Sequence, residues 1–425
     1  MKRIIVYKLA VLLLMGLLTG CVQPKPQRIN AENHTEIKDS LTAENNENYQ
    51  LEEEDCALIQ KGNAFSLQLF QKVAAEAKKS TFISTIGILY SLNVLNLGAT
   101  GETLQEICDV LGVDSADLKR MNTLSSRMIK RQEKMQADDL PGPSSNLLTG
   151  CALFVKSGVE ISPLFINDFE HFYFGQIIQG SFDDEMQSQI DDWCSNNTDN
   201  KINHLPIECD AQSILAIVNC FNGKWEKEFD TEKTKEEPFY GGRRKTVLMM
   251  NDTDGDRILS LAQRSDYSLL RIPYRGGYVM YVILPEKGKT LSSVIHKLTW
   301  KELQNAIGNL NYYHTVHIKL PKFEMNYNWI ANKCLTSLGI RKVFGREADL
   351  DNLNKDFYVS SISQYAKVKV DEIGTEASAV TFDAVLSAAE GKAPSVAYFY
   401  ADHPFAYIIQ DTFGNYCFMG TFWGD

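Results

Sequence analysis

The stretch at residues 366–380 constrains the fold of this chain more than any other, because a strand pattern there gives way abruptly to very small side chains. Apolar and charged residues alternate over 366–372, as in a strand with one buried face. Gly374 interrupts the pattern, and apart from Glu376 no side chain over 375–380 is larger than valine. Such a segment could slide between two other strands without clashing, although an ordinary exposed loop rich in alanine and serine has the same composition.

Short motifs elsewhere in the chain favour the first interpretation. They occur in the order and spacing of the serpin family, which the chain resembles from about residue 55 to 423. The motifs are F-I-S-T-I-G-I at 82–88, L-G-A-T-G-E-T at 97–103, N-G-K-W-E-K-E-F at 222–229, L-R-I-P-Y at 270–274, Y-V-I-L-P at 281–285, I-K-L-P-K-F at 318–323, L-G-I-R-K-V-F at 338–344, A-D-H-P-F at 401–405 and F-M-G at 418–420.

The resemblance implies an α+β fold, a single domain of mixed helices around three β-sheets with an exposed reactive-centre loop. It also implies that the small-residue segment is the hinge of that loop. The hinge residues are then Glu372, Gly374, Thr375, Glu376, Ala377, Ser378 and Ala379.

Length and charge agree with one large domain over 51–425. The 425-residue chain has no internal repeat and no interior linker rich in proline, glycine or serine. Helical periodicity occurs at 56–78, 90–97 and 328–338, and strand patterns occur at 153–156, 213–221, 279–284 and 405–410. The net charge of −11 argues against nucleic-acid binding. The basic cluster at 243–245 is interpreted as a solvated hairpin turn, with a heparin-like site as the alternative.

The N-terminus predicts export. Lys2 and Arg3 precede a short apolar run over 9–18, which is typical of a secretory signal at 1–20. The run ends L-T-G-C at Cys21, which resembles a bacterial lipoprotein signal, so we expect Cys21 to carry the lipid. A plain signal peptide with an incidental cysteine is the alternative. The segment 21–50 has almost no large apolar residue and predicts a disordered tether, which would anchor the domain at the periplasmic or cell-surface face of a bacterial membrane.

No catalytic or cofactor motif stands out, so we expect neither an enzyme nor a cofactor or metal. His314 and His317 lie three apart in a predicted strand, which puts them on opposite faces. The acidic segment 251–256 has the wrong spacing for calcium and predicts a turn between strands. Of the eight cysteines left after Cys21, those at Cys151, Cys220 and Cys417 fall in apolar strands and predict buried thiols, and only Cys194 and Cys209 merit a disulfide test.

The resemblance also implies how the loop acts and where it is cut. A serine protease attacks the loop and forms an acyl-enzyme, and the freed upstream segment inserts into the sheet. Family spacing, with Glu372 as the first of 17 residues, places the reactive bond at Ala388–Ala389. The upstream residues Val385, Leu386 and Ser387, with alanine at the bond itself, suit an elastase-like protease, whose primary pocket is small. The downstream side looks longer than usual, so Leu386, for chymotrypsin-like or subtilisin-like proteases, and Lys392, for trypsin-like ones, remain alternatives.

Two departures from the family pattern concern the hinge and the region where the sheet opens. Ile373 follows the hinge glutamate, where a charged residue is usual. Members commonly have a cluster of serines, an asparagine and a histidine beneath the sheet. In the alignment Ser84 is kept, and Gly87, Ile217 and Gln364 stand at the other three places. The placement of Ile217 assumes no gap before Trp225; a shorter strand would instead make Asn219 the asparagine.

Three functions therefore remain open for a presumed monomer. The small hinge residues favour a protease inhibitor that forms a covalent acyl-enzyme complex with serine proteases. A non-inhibitory serpin-fold carrier or binding lipoprotein would keep the fold without productive insertion. A membrane-tethered adhesion lipoprotein would use the tether alone, and nothing in the hinge favours it.

Overall fold

A computed structural model describes residues 26–29, 50–76, 79–134, 145–206, 212–255, 257–374 and 395–425. Its helices are α1 Glu53–Glu76, α2 Thr85–Gly98, α3 Gly101–Leu111, α4 Leu118–Lys134, α5 Pro163–Tyr173, α6 Asp184–Asn197, α7 Leu291–Lys297, α8 Trp300–Gly308 and α9 Asn332–Leu338. Among the helices in these ranges, none is long and apolar enough to cross a membrane.

The strands are β1 Gln27–Ile29, β2 Thr81–Ser84, β3 Asn146–Lys156, β4 Gln176–Gly180, β5 Ser213–Asn222, β6 Lys235–Pro238, β7 Thr246–Asp252, β8 Ile258–Gln263, β9 Tyr267–Pro273, β10 Val279–Pro285, β11 Asn311–Pro321, β12 Phe323–Ile330, β13 Ser361–Val370, β14 Ser395–Tyr400, β15 Phe405–Gln410 and β16 Tyr416–Phe422.

Six strands form the first sheet, in the order β1-β4-β3-β5-β13-β12. β5 pairs antiparallel with β3, and β13 pairs antiparallel with β12. β5 and β13 themselves run parallel, paired from Ser361 with Ile214 to Lys367 with Cys220. We call this parallel pairing the seam. We call the end of the sheet where β13 finishes the loop pole, and the opposite end, where Ser361 lies, the remote pole.

The remaining strands form a second sheet that runs from β2 to β6, with β14 attached to β11. β11 pairs with β8 through its first half and with β7 through its second half. The second and third sheets implied by the resemblance are therefore hydrogen-bonded into one through β11, and the α+β class is confirmed.

Alternation along the strands of the first sheet divides the apolar core between its two faces. Leu153, Leu215 and Ile217 face the main core, which also receives α1, α2 and the second sheet. Phe154, Ala216 and Val218 face the other way and pack against α6 through Met186, Ile190 and Trp193. Both faces of the seam are thus covered, which explains the continuous apolar run from Ile214 to Val218 in β5.

Several sequence predictions are confirmed and two need correction. The segment 279–284 is a strand, the basic cluster at 243–245 lies in the β6–β7 hairpin, and the three strand cysteines are buried. The helix predicted at 328–338 begins only at Asn332, because the preceding residues extend β12 and pair with β13. The tether contains strand β1, which its composition did not predict. Cys209 lies outside the described residues, so its pairing with Cys194 stays a prediction.

Candidate functional site

The base of the predicted loop is fastened to the segment that follows β5. Past β13, Asp371 and Gly374 bond each other in a tight turn, with N···O distances of 3.0 and 3.2 Å. The Trp225 backbone N–H donates to Ile373 O at 3.1 Å, and the Phe229 N–H donates to Glu372 O at 2.7 Å. Two main-chain hydrogen bonds therefore hold the hinge against this segment.

Trp225 contributes a third hydrogen bond through its side chain. Its indole Nε1 donates to Asp371 O at 2.8 Å, and the side chain is completely buried. The ring stacks on Tyr274 with centroids 4.1 Å apart and planes 8° from parallel. Because stacking already fixes the orientation of the indole, the hydrogen bond to Asp371 O costs little additional side-chain entropy.

Gly374 is a position that only glycine fits. Its φ is +117°, and a Cβ atom there would lie 2.3 Å from Gly223 O and 2.7 Å from the Trp225 nitrogen. The hinge backbone thus packs directly on the backbone after β5, and the chain reverses at this point. A segment leaving this turn can run back toward the seam.

Glu372, the predicted hinge glutamate, is anchored by an ion pair. Lys322, between β11 and β12, lies with Nζ 2.7 Å from a Glu372 carboxylate oxygen. Burial alone would raise the pKa of Glu372, but the hydrogen bonds from Lys322 and from its own backbone, with the Lys322 charge, outweigh burial and lower that pKa. The carboxylate therefore stays ionised near neutral pH and ties the hinge to the β11–β12 connection.

The seam loosens toward the loop pole, where the hinge lies. Paired residues end at Lys367 and Cys220, although β13 continues to Val370 and β5 to Asn222. A chain that returned from Gly374 into the seam would run antiparallel to both strands. The geometry therefore provides an entry point, and the turn at Gly374 lies beside it.

A polar cluster lies beneath the seam where α2 begins. The Gln364 amide clamps the Ser84 backbone, accepting from its N–H at 3.0 Å and donating to its carbonyl at 2.6 Å. The Trp329 Nε1 also donates to the Gln364 oxygen, at 2.8 Å. Ser84 in turn caps α2 by accepting from the Gly87 N–H at 3.1 Å. From its place in β13, Gln364 thus satisfies polar groups of β2 and β12 at one point.

Asn219 fills the polar position across the seam, as the alternative strand alignment predicts. A Cβ on Gly87 would lie 2.3 Å from Asn219 Oδ1, 3.0 Å from Ser84 Oγ and 3.2 Å from Gln364 Nε2, so these three side chains meet at Gly87. Ile217 is buried on the same face of β5, opposite Gln364, and belongs to the main core. Ile217 and Asn219 are two positions apart and lie on the same face of β5, so sequence alignment alone could not choose between them.

The cluster splits into two halves at the seam. Asn219 donates to Thr149 of β3 at 3.0 Å, whereas Gln364 binds Ser84 and Trp329. The Asn219 Oδ1 has no hydrogen-bond partner among the described residues, although it is buried. An unpaired buried acceptor costs about 1–3 kcal/mol. The closed seam therefore contains a buried acceptor without a hydrogen bond among the described residues.

Other predicted residues lie outside the described residues. These are the hinge residues Thr375, Glu376, Ala377, Ser378 and Ala379, the reactive-bond candidates Leu386, Ala388, Ala389 and Lys392, and Cys21. Sequence reasoning missed Lys322 and Trp329, because their roles depend on strand pairing. The alternation of the I-K-L-P-K-F motif signals an exposed lysine, but not its partner.

Comparisons with known proteins agree with this geometry. A family model described as serpin (serine protease inhibitor) matches residues 60–424. Iripin-8 from Ixodes ricinus is 27% identical over 370 residues, which cover 84% of this chain and 91% of that protein. Alpha-1-antitrypsin from Sus scrofa is 29% identical over 357 residues, covering 82% of each chain.

Solved structures show the same fold. The thermophilic serpin tengpin in the native state superimposes with a TM-score of 0.75 at 22% identity, covering 88% of this chain and 95% of that one. Human glycosylated kallistatin superimposes with a TM-score of 0.73 at 25% identity, covering 86% and 97%. Because the family model spans nearly the whole domain, the chain belongs to the serpin family, a family described as serine protease inhibitors.

Proposed function

We propose that this chain is a suicide-substrate inhibitor of serine proteases that acts by inserting its cleaved loop into the first sheet. One observation carries the proposal. The parallel pairing between β5 and β13, each of which has an antiparallel partner on its other side, ends beside the glycine turn at the base of the loop. An inhibitor of this kind needs an entry point there, and a rigid binding protein does not.

Insertion is favoured by strand geometry. A returning strand would replace one parallel pairing by two antiparallel pairings, and parallel pairing is slightly less stable per residue. About 15 residues at ~3.3 Å each give a strand of about 50 Å, long enough to cross a domain of this size. The uncut form then survives because a kinetic barrier holds the seam closed.

The protease supplies all the catalytic chemistry. Its serine attacks the reactive bond, the upstream segment remains esterified to that serine, and the amine of the downstream segment leaves. Insertion must be faster than hydrolysis of the ester. We place the bond at Ala388–Ala389, which suits an elastase-like protease, and retain Leu386 and Lys392 as alternative positions.

We further propose that the inhibitor is a bacterial lipoprotein. The apolar run that ends at Cys21 supports acylation of that cysteine, and the acidic domain following the tether would then act at a membrane surface. The target is a serine protease outside the cell or in the periplasm.

Incubation with elastase, chymotrypsin, subtilisin and trypsin tests the inhibitor mechanism. We expect an adduct that survives SDS with at least one of them, and mass spectrometry of the released C-terminal peptide identifies the bond. The matched control is the same protease with its catalytic serine changed to alanine, which should bind without forming the adduct. Clean cleavage without any adduct would refute inhibition and favour the non-inhibitory carrier.

A further inference from the structure

Strand β1 fastens the tether to the edge of the first sheet. Gln27, Arg28 and Ile29 pair antiparallel with Gln179, Ile178 and Ile177 of β4. Ile29 packs against the main core, and Pro26 lies where a Cβ on Gly180 would be 2.8 Å away. Both ends of β1 thus pack against the domain, and β1 covers an edge of β4 that would otherwise be exposed.

The strand directions fix where the tether leaves the domain. β4 runs parallel to β3, and β3 runs antiparallel to β5 and so also to β13. Gly180 therefore lies toward the remote pole, level with Lys156 and the start of β5. Because β1 is antiparallel to β4, its N-terminal end points to the same pole.

The reactive-centre loop departs from the opposite pole. β13 rises from Ser361 to Val370, nine steps of ~3.3 Å, so the loop base lies about 30 Å along the strands from the level of Gln27. The two attachments of the domain, the tether and the loop, therefore leave from opposite ends of one sheet.

The length of chain before β1 makes this direction matter. Six peptide steps separate Cys21 from Gln27, which span at most about 20 Å. If β1 were detached, 32 steps would separate Cys21 from the start of α1 at Glu53, and a flexible chain of that length has a mean span of about 30 Å and a full reach of about 110 Å.

We propose that β1 is an orienting strand, which holds the remote pole against the membrane and points the reactive-centre loop away from it. The inference rests on the proposed lipid anchor at Cys21. Docked β1 excludes the inverted orientation, in which the loop pole would face the lipid and Gln27 would lie about 30 Å above it, because six peptide steps reach only about 20 Å. A protease approaching from solution then meets the loop first.

Energy transfer to labelled lipid measures the orientation in the full-length lipoprotein on vesicles. A dye is placed at Ser157→Cys, which is exposed beside the end of β3, or at Lys245→Cys, which is exposed at the loop pole. Lys245 lies at that pole because its neighbour Arg244 lines one cavity with Lys369 and Val370, at the end of β13. The background carries serine at Cys56, Cys209 and Cys334. We expect strong transfer from Ser157→Cys and weak transfer from Lys245→Cys.

A matched pair of variants tests the role of β1. Gln27→Pro with Ile29→Pro fixes φ at two of the three positions of β1, and it also removes the Ile29 side chain from the core, so it disfavours pairing with β4. Thr35→Pro with Ile37→Pro makes the same change at the same spacing further along the tether. The first variant should bring the ratio of transfer at the two sites toward one, and the second should leave the ratio unchanged. Equal transfer from both sites in the unmodified protein, or an unchanged ratio after the first variant, overturns the proposal.

A second readout separates this inference from the anchor and from inhibition. Amide hydrogen exchange within residues 177–179 of β4 should accelerate in the Gln27→Pro/Ile29→Pro variant only, at the amides that face β1 and not at those that face β3. The β5 amides should stay protected, which shows that the domain is folded. If Cys21 is not acylated, a histidine tag replacing residues 1–21 holds the chain on nickel-chelating lipid, and the transfer ratio decides as before. No protease enters either measurement.

Discussion

The indole of Trp225 offers a direct test of how firmly the hinge is held. Trp225→Phe keeps an aromatic ring on Tyr274 but deletes the 2.8 Å hydrogen bond to Asp371 O. That carbonyl still accepts from the Gly374 N–H at 3.2 Å, so the loss lies at the low end of the usual range, about 1 kcal/mol. A change of this size makes hinge opening about fivefold more frequent.

Native-state hydrogen exchange measures that opening. The Trp225 and Phe229 amides donate to the hinge carbonyls, so their protection should fall about fivefold in Trp225→Phe. The matched control is Trp193→Phe in α6, where the same volume is lost from a buried ring whose Nε1 has no partner among the described residues. Unchanged protection in Trp225→Phe, or an equal loss in Trp193→Phe, would refute the reasoning.

Four further outcomes are expected. Thr375→Arg should convert the inhibitor into a substrate, because insertion would bury an unpaired charge. An undiminished yield of SDS-stable adduct would refute the insertion mechanism. Cleavage within 381–393 should raise the unfolding temperature markedly, as seen in melting curves before and after cutting; no rise would mean that the loop stays out. Asp383→Leu should lower the number of inhibitor molecules consumed per protease, because in the register set by Thr375 this carboxylate turns toward the interior; an equal or higher number contradicts that register. Because the native pKa of Glu372 is lowered, the stabilisation from its ionised carboxylate is complete above about pH 4.3 and is lost as pH falls through the native pKa. Protection of the Phe229 amide against hydrogen exchange should fall over the same pH range. Lys322→Met should remove this pH dependence.

The sequence predicts elements whose pattern is set by local burial. The run at 279–284 is continuous and apolar, and it forms β10, a central strand covered on both faces. The turn predicted within 251–256, which begins after β7 ends at Asp252, and the hairpin at 243–245 also follow from glycine and charge. These features need no knowledge of distant partners.

Elements defined by distant pairing could not be predicted. Asn328 and Ile330 fit a helical period, but they pair with Tyr365 and Ser363 and remain in β12. β1 has one large apolar residue and exists through pairing with β4. Tertiary pairing thus overrides local preference at both places.

The candidate site shows the same limit. Gly374 and Trp225 could be selected from sequence, because a glycine after a strand and a gate tryptophan are local signals. The choice between Ile217 and Asn219 needed the register of β5 against α2. Lys322 needed the spatial path of the hinge.

If Cys21 carries the proposed lipid and the chain inhibits as proposed, the docking of β1 has a consequence for the end of the reaction. In the family's mechanism the captured protease travels to the remote pole, the side from which the tether leaves. A protease of about 220 residues is about 40 Å across, twice the length that residues 21–27 can span. Capture on a membrane would therefore require β1 to peel from β4, lengthening the attachment severalfold. A spent inhibitor would then be distinguishable from an unused one by its height above the lipid, and a three-residue strand would set the force needed to lift it.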